Sequence, residues 1–237
     1  DNVSPKLPEI SFTPSENEIN KKINIARQKL LNDGYSEVIT YAFTKKGMVE
    51  VARGAKGKEF LRPALMSGLK DAYELNRLNL PLLDLTETKI FEIGSVFTDI
   101  GHEEIHVAYA DKKGVKEFSL TDFTKELDLL PTSNFQHSAH NKPFVSWSHF
   151  PFITRDISVW VKEGINPNLL IEICKENAGE LLVREPSVFD TFTKDGRTSI
   201  AIRMVFQSYD RTLTDDEVSQ KMDKILSRFK QEGFEVR

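Results

Sequence analysis

Residues able to hold an unpaired nucleobase are concentrated in the last third of the chain: Ser158, Asp190, Phe192, Ser199 and Arg203. A ring such as Phe192 offers a stacking surface. Hydroxyls and a carboxylate can meet the donors and acceptors of a base edge, and a guanidinium can reach a base or a phosphate. These side chains come together only if they lie on strands. In Arg155-Asp156-Ile157-Ser158-Val159-Trp160-Val161, and again from Thr198 to Gln207, the residues alternate as strands do, and successive strand side chains point to opposite faces. Ile157, Val159, Ile200, Ile202, Met204 and Phe206 therefore take the covered face, leaving Asp156, Ser158, Trp160, Ser199, Ala201, Arg203 and Gln207 on an open one. The alternation around Asp190 puts Asp190 and Phe192 together, and they are assigned to the same open face. Such a face can bind unpaired bases, or it can be solvated or covered by a partner; pattern alone leaves these open.

Other reactive groups have less support. Arg53-Gly54-Ala55-Lys56-Gly57-Lys58 resembles a phosphate cradle, but Ala52 stands where the first Gly is needed and Glu59 where the magnesium-binding hydroxyl should be. A flexible turn is expected there, with contact to an RNA backbone as the minor alternative. His102 with His106, and His137 with His140, have usable metal spacings but no accompanying Cys or carboxylate constellation, so no metal is expected. Cys174 sits beside Leu170 and Ile173 on a helix face and reads as a small buried hydrophobe. No Ser, His and Asp grouping has motif support, and no catalytic residue is assigned. Arg62 beside Pro63, and Glu92 inside Phe-Glu-Ile-Gly, can hold a substrate or form a structural salt link, the preferred reading. Arg155-Asp156 can orient the first strand by an ion pair or reach RNA phosphate through Arg155.

The elements that must position these groups form two sets. Ser15 to Glu18 has capping-box spacing, and Ile19, Ile23, Ala26 and Leu30 recur at helical spacing down to Gly34. Glu37 to Phe43 reads as a buried strand, Pro63 to Leu80 as a helix with Leu65, Leu69, Ala72 and Tyr73 inward and Pro81 closing it, and Lys89 to Phe97 and Glu104 to Ala110 as strands. This order suggests an antiparallel sheet backed by helices. Thr121 to Leu130 is a short helix, and 131–142 is polar and turn-rich, placing a domain boundary near residue 143. The second set begins with the strand at Arg155. A helix follows from Asn166-Pro167, with Leu169, Leu170, Ile173 and Cys174 buried. Strands from Pro186 to Phe192 and Thr198 to Gln207 are joined at Lys194-Asp195-Gly196, and the capping box Thr214 to Glu217 opens a helix with Val218, Met222, Ile225 and Phe229 inward. Phe234 to Arg237 is the last strand. The order βαββαβ is ferredoxin-like.

Composition permits this organisation. The chain has 237 residues, 39% of them hydrophobic, enough for two ordinary domains, 1–143 and 144–237. A formal charge of −4 carries no basic nucleic-acid footprint. One cysteine excludes an internal disulfide and fits a reducing compartment, the cytoplasm by default. No run approaches membrane-spanning length, and the start has neither a signal pattern nor an initiator Met. The chain is therefore read as a piece of a longer protein, with Met trimming as the alternative.

Particular residues carry a resemblance. Phe150-Pro151-Phe152 followed by Arg155-Asp156-Ile157-Ser158, then Val188-Phe189-Asp190, Ser199 to Arg203, Phe206 through Asp210-Arg211-Thr212-Leu213-Thr214 to Val218, and Gly233 to Arg237 are similar to the anticodon-binding domain of phenylalanyl-tRNA synthetase beta subunits. Gly34 to Phe43, Leu61 to Leu69 and Phe91 to Phe97 resemble that subunit's core domain, while 100–148 is shorter than the family's stretch. The resemblance implies an α+β fold: a class II synthetase-like antiparallel-sheet core without catalytic signatures, then a ferredoxin-like anticodon-binding domain. It implies a holoenzyme of two alpha and two beta subunits, in which alpha handles ATP, magnesium and phenylalanine. This chain would need no cofactor of its own and would have alpha and the tRNA for phenylalanine as partners. The five residues named at the outset would then meet the anticodon loop. The competing functions are a stand-alone RNA-binding or scaffolding module derived from the synthetase, a ligand-sensing domain and an autonomous enzyme.

Overall fold

A computed structural model describes residues 15–55, 57–83, 85–127, 146–162, 164–194 and 196–237. Contacts divide the chain into two compact units, Asp1–Arg77 with Glu87–Gln136 and Leu78–Thr86 with His137–Arg237.

In the first unit, α1 (Glu18–Asn32) is capped by Asn17, whose side chain accepts the amides of Ile19 and Asn20. Ser15 is thus not the cap; Asn serves equally well in that role, and the helix begins later than the Ser15 spacing suggests. Ala26 and Leu30 are buried, and Gly34, at φ 84°, turns the chain out of the helix. The main sheet contains β1 (Ser36–Glu37), β5 (Ile90–Asp99), β6 (His102–Asp111) and β7 (Gly114–Ser119), in that order. β1 runs parallel to β5 and the other pairs are antiparallel, so the sheet is mixed at one edge. Between β1 and β5 in sequence, β2 (Phe43–Thr44), β3 (Glu50–Ala55) and β4 (Lys58–Leu61) form a small separate sheet. α2 (Met66–Leu78) follows; the single turn α3 (Leu80–Leu83), which holds Pro81, belongs to the second unit. Leu65, Leu69, Val96, Ala108 and Ala110 form a core on one face of the main sheet. Ala26, Leu30, Phe91, Val107 and Leu120 form another, closed by α1 and by α4 (Leu120–Thr124).

The run from Glu37 to Phe43 is not one buried strand. Val38 donates its amide to Phe91 and packs inward, and Thr40 bonds Glu92, but Ile39 and Tyr41 point to solvent. High β-propensity describes a residue that fits a pleated, half-buried surface and does not say that both of its faces are covered.

In the second unit, β8 (Ile153–Lys162), α5 (Pro167–Ala178), β9 (Ser187–Lys194), β10 (Arg197–Phe206), α6 (Asp215–Gln231) and β11 (Glu235–Val236) give the expected βαββαβ order. The sheet is antiparallel with strand order β11-β8-β10-β9. Asn166 caps α5 ahead of Pro167, and Thr214 with Glu217 forms a complete capping box on α6. Ile157, Val159, Ile200, Ile202, Met204 and Phe206 pack with Leu170, Ile173, Cys174, Val218, Ile225 and Phe229 in one core. Leu169, expected inward, is half exposed; one residue is about 100° around a helix, and Leu170 takes the inward direction. Among the described residues no helix is long and apolar enough to cross a membrane.

Candidate nucleic-acid interface

The alternation of β8 and β10 commits their apolar residues to α5 and α6, which, among the described residues, leaves the opposite face of the second unit's sheet without a covering helix. Register arranges that face in rows across β8, β10 and β9. Ser199 lies between Trp160 and Phe192, Ala201 between Ser158 and Asp190, and Arg203 between Asp156 and Ser187. The rings of Trp160 and Phe192 meet edge to face, 6.3 Å between centroids. The Arg197 guanidinium stands 5.1 Å from the Trp160 ring centre and bonds Glu235, and Arg237 lies 5.9 Å from both rings. Cations over ring faces are attracted by the ring quadrupole. The result is a partly exposed aromatic pair with guanidinium groups beside it.

The five predicted residues fare differently here. Phe192 is 47% exposed, Asp190 is exposed and Ser158 is half-buried. Ser199 is not open: only 4% of it is exposed, because Trp160 and Phe192 on the flanking strands close over it. Ala201 and Gln207 are also buried rather than open; the Gln207 side-chain amide donates to the Phe150 carbonyl at 2.7 Å. Arg203 is held by Asp156 through two hydrogen bonds of 2.8 and 2.6 Å, which raise its pKa from the ordinary value against the effect of burial. It also lies 4.4 Å from the Phe189 ring centre.

Phe189, Arg197 and Arg237 were not singled out from the sequence. Strict alternation with Asp190 puts Phe189 on the covered face. A register shift opposite Ala201 and Ile202 makes Phe189 an extra residue, and Val188 takes the inward place. Nothing local in Val188-Phe189-Asp190 announces that bulge. Arg197 and Arg237 stand outside the alternating runs, at a hairpin and at the end of the chain.

The remaining reactive groups have structural partners. Arg62 and Glu92 form the expected salt link, 2.6 Å long and buried. Glu92 also accepts from the Thr40 amide and hydroxyl, and Arg62 donates to the Ser95 carbonyl. Arg155 pairs with Asp215 at the start of α6, away from the open face. The Arg53 to Lys58 stretch is the β3–β4 hairpin, with Gly57 at φ 72°. His106 bonds Glu117 at 2.8 Å, and the same carboxylate accepts the amides of Leu65 and Met66. Among the described residues no group of three His, Cys, Asp or Glu side chains is arranged to hold a metal, and His137 and His140 lie outside those residues. Burial pushes the Cys174 thiol up to about 12, which suppresses its nucleophilic form.

Comparison with known proteins supplies the family. A model of the ferredoxin-fold anticodon binding domain matches residues 148–237, and one of the phenylalanyl tRNA synthetase beta chain CLM domain matches residues 3–117. The chloroplastic/mitochondrial phenylalanine–tRNA ligase of Arabidopsis thaliana is 36% identical over 96 residues, 40% of this chain and 22% of that protein. The phenylalanine–tRNA ligase beta subunit of Staphylococcus epidermidis is 37% identical over 92 residues, covering 37% of this chain and 11% of its own. That of Thermotoga maritima is 25% identical over 130 residues, 53% of this chain and 16% of its own. The chain thus spans a small part of each relative's length. With two models matched in separate parts of one sequence, the chain belongs to the phenylalanyl-tRNA synthetase beta-chain family.

Proposed function

We propose that the open sheet face of the second unit docks on the anticodon arm of the tRNA for phenylalanine. An unpaired base stacks on Phe192 beside Trp160, and Ser158 and Asp190 meet base edges. Arg203 exchanges part of its hold on Asp156 for RNA, while Ser199 supports the aromatic pair from beneath. The observation that carries this reading is the exposed Phe192 ring against the half-buried Trp160, with Arg197 and Arg237 beside them, inside the segment matched by the anticodon-binding model. Stacking suits single-stranded loops because every base has a π face.

On this face Lys162, Lys194, Arg197, Arg203 and Arg237 stand against Asp156, Asp190 and Glu235, and Arg197 and Arg203 are already paired with Glu235 and Asp156, so the positive excess is small. Few phosphates can be neutralised there, so the salt dependence is shallow and the face contributes specificity more than affinity. The first unit is, in this reading, a class II synthetase-like core without catalytic residues. It packs on a catalytic alpha subunit that handles ATP, magnesium and phenylalanine, in an enzyme of two alpha and two beta subunits. The match over residues 3–117 and the internal use of Arg62 and Glu92 support this.

The test is a titration of the chain, mixed with its alpha subunit, against the tRNA for phenylalanine and a non-cognate tRNA at two salt concentrations. A co-migrating alpha complex with cognate preference is expected. No alpha association and equal affinity for both tRNAs would defeat the proposal.

A further inference from the structure

Positive charge is concentrated on the small sheet of the first unit. Residues 45–59 hold five Lys and Arg against two carboxylates, Glu50 and Glu59, in a chain of formal net charge −4. Lys45, Lys46, Arg53 and Lys58 are among the described residues, and they gather along β4, the middle strand, whose four residues span about 14 Å. Thr44, which pairs with Phe60, donates its hydroxyl to the Lys46 carbonyl, and a Cβ on Gly47 would collide with the Leu61 carbonyl. The turn bearing Lys45 and Lys46 therefore lies against one end of β4. At the other end Gly54, next to Arg53, comes so close that a Cβ there would stand 2.5 Å from the Lys58 carbonyl oxygen.

Lys45, Lys46 and Arg53 are exposed, and Lys58 is half-buried with its ammonium 5.0 Å from the Tyr41 ring centre. Among the described residues none of the four forms an ion pair, even with Glu50 or Glu59 on the same sheet, whereas Lys21, Arg27, Lys29, Arg62, Arg77 and Lys89 of this unit are all paired. No described residue from 41 to 61 is buried, so the sheet rests on backbone pairing and its cations support no core. Like charges collected along so short a strand raise the local potential, which draws a polyanion toward a chain that repels it by net charge.

We infer that the sheet of β2, β3 and β4 is a second RNA contact, in which Lys45, Lys46, Arg53 and Lys58 take phosphates of a tRNA backbone without reading bases. Lys meets phosphate as a point charge and needs no fixed geometry, and phosphate contacts position an RNA while carrying no sequence information. Lys is depleted in protein interfaces, and here it supplies three of the four charges, which favours RNA over an acidic protein. The open face of the second unit creates the need for such a contact. Arg197 and Arg203 there are already paired with Glu235 and Asp156, so affinity has to come from unpaired cations elsewhere. That need rests on the anticodon proposal. The basic sheet does not, because a contact to phosphate serves any tRNA.

The experiment titrates the whole chain against the tRNA for phenylalanine and a non-cognate tRNA over a series of salt concentrations. It uses wild type, the fourfold variant Lys45→Gln, Lys46→Gln, Arg53→Gln and Lys58→Gln, the pair Lys45→Arg with Lys46→Arg, and Phe192→Ala. The fourfold variant should bind both tRNAs about tenfold more weakly at low salt, by the same factor, and the slope of log affinity against log salt should shrink by up to about 3. The arginine pair keeps the charge and should bind as wild type does. Phe192→Ala should lower the cognate preference and leave the slope unchanged. Should the fourfold variant fail a thermal unfolding check, Lys45→Gln with Lys46→Gln in the exposed turn should still weaken both tRNAs and remove about half of that slope change. A folded fourfold variant with wild-type affinity and slope overturns the contact, as does a loss confined to the cognate tRNA. Self-association of that variant with RNA binding unchanged also overturns it, and would make the lysines guards of the sheet's edge strands. A fourfold variant that behaves as expected beside a Phe192→Ala without effect leaves this contact standing and removes the anticodon reading.

Discussion

Arg62 and Glu92 meet at 2.6 Å with 8% and 2% of their side chains exposed, whereas Arg203 and Asp156 approach equally closely with 35% and 40% exposed. The chemistry is the same and the consequence is opposite. Around the first pair, Thr40 and Ser95 engage the remaining hydrogen-bonding groups, and a carboxylate removed there strands a cation in a low-dielectric interior. Around the second, water screens the charges and can replace either partner, so the pair adds little to stability and remains available to a ligand. Gly94 shows how closely the first pair is fitted: a Cβ there would stand 2.4 Å from an Arg62 guanidinium nitrogen.

Glu92→Ala is expected to lower unfolding free energy by roughly 3–5 kcal/mol, read from denaturant midpoints; a change within experimental error would mean that the buried link does not organise the first unit. Thr214→Ala removes the α6 cap and should cost about 1 kcal/mol. That cap also has a pH dependence. The Arg211 guanidinium, followed by the Thr214 amide, holds the Glu217 carboxyl down near about 2 rather than 4.5. A depressed carboxylate pKa contributes stability that is fully present above the ordinary value and is lost as pH falls toward the folded one. The stability difference between wild type and Glu217→Gln should therefore shrink from about pH 4.5 downward, and a difference that grows on acidification would contradict the sign. Asp156→Ala should have the smallest effect, at most about 1 kcal/mol. A loss as large as that of Glu92→Ala would erase the contrast between the two pairs.

The sequence made the second unit legible because several signals agreed. Ile157 and Val159 alternate with polar neighbours, Pro167 opens a helix, and the Thr214 to Glu217 spacing opens another. Where only one signal operated, the reading was less complete. Alternation told the side of Ser199 but not its access to solvent, which neighbours on two other strands determine. Phe189 depends on a bulge that alternation cannot register. The segment around Ile39 has strand composition, yet its outward side chains find no cover within the described residues. Arg62 and Glu92, 30 residues apart, were matched correctly because a buried Arg and a buried Glu each require a partner.

The central claim, that the open ferredoxin-fold face reads RNA through its aromatic pair, is tested most directly by binding of the tRNA for phenylalanine to Phe192→Ala. Phe192 lies outside the packed core, so the unfolding midpoint should match wild type while tRNA affinity falls by about 1–3 kcal/mol. Wild-type affinity in a correctly folded Phe192→Ala would contradict the claim.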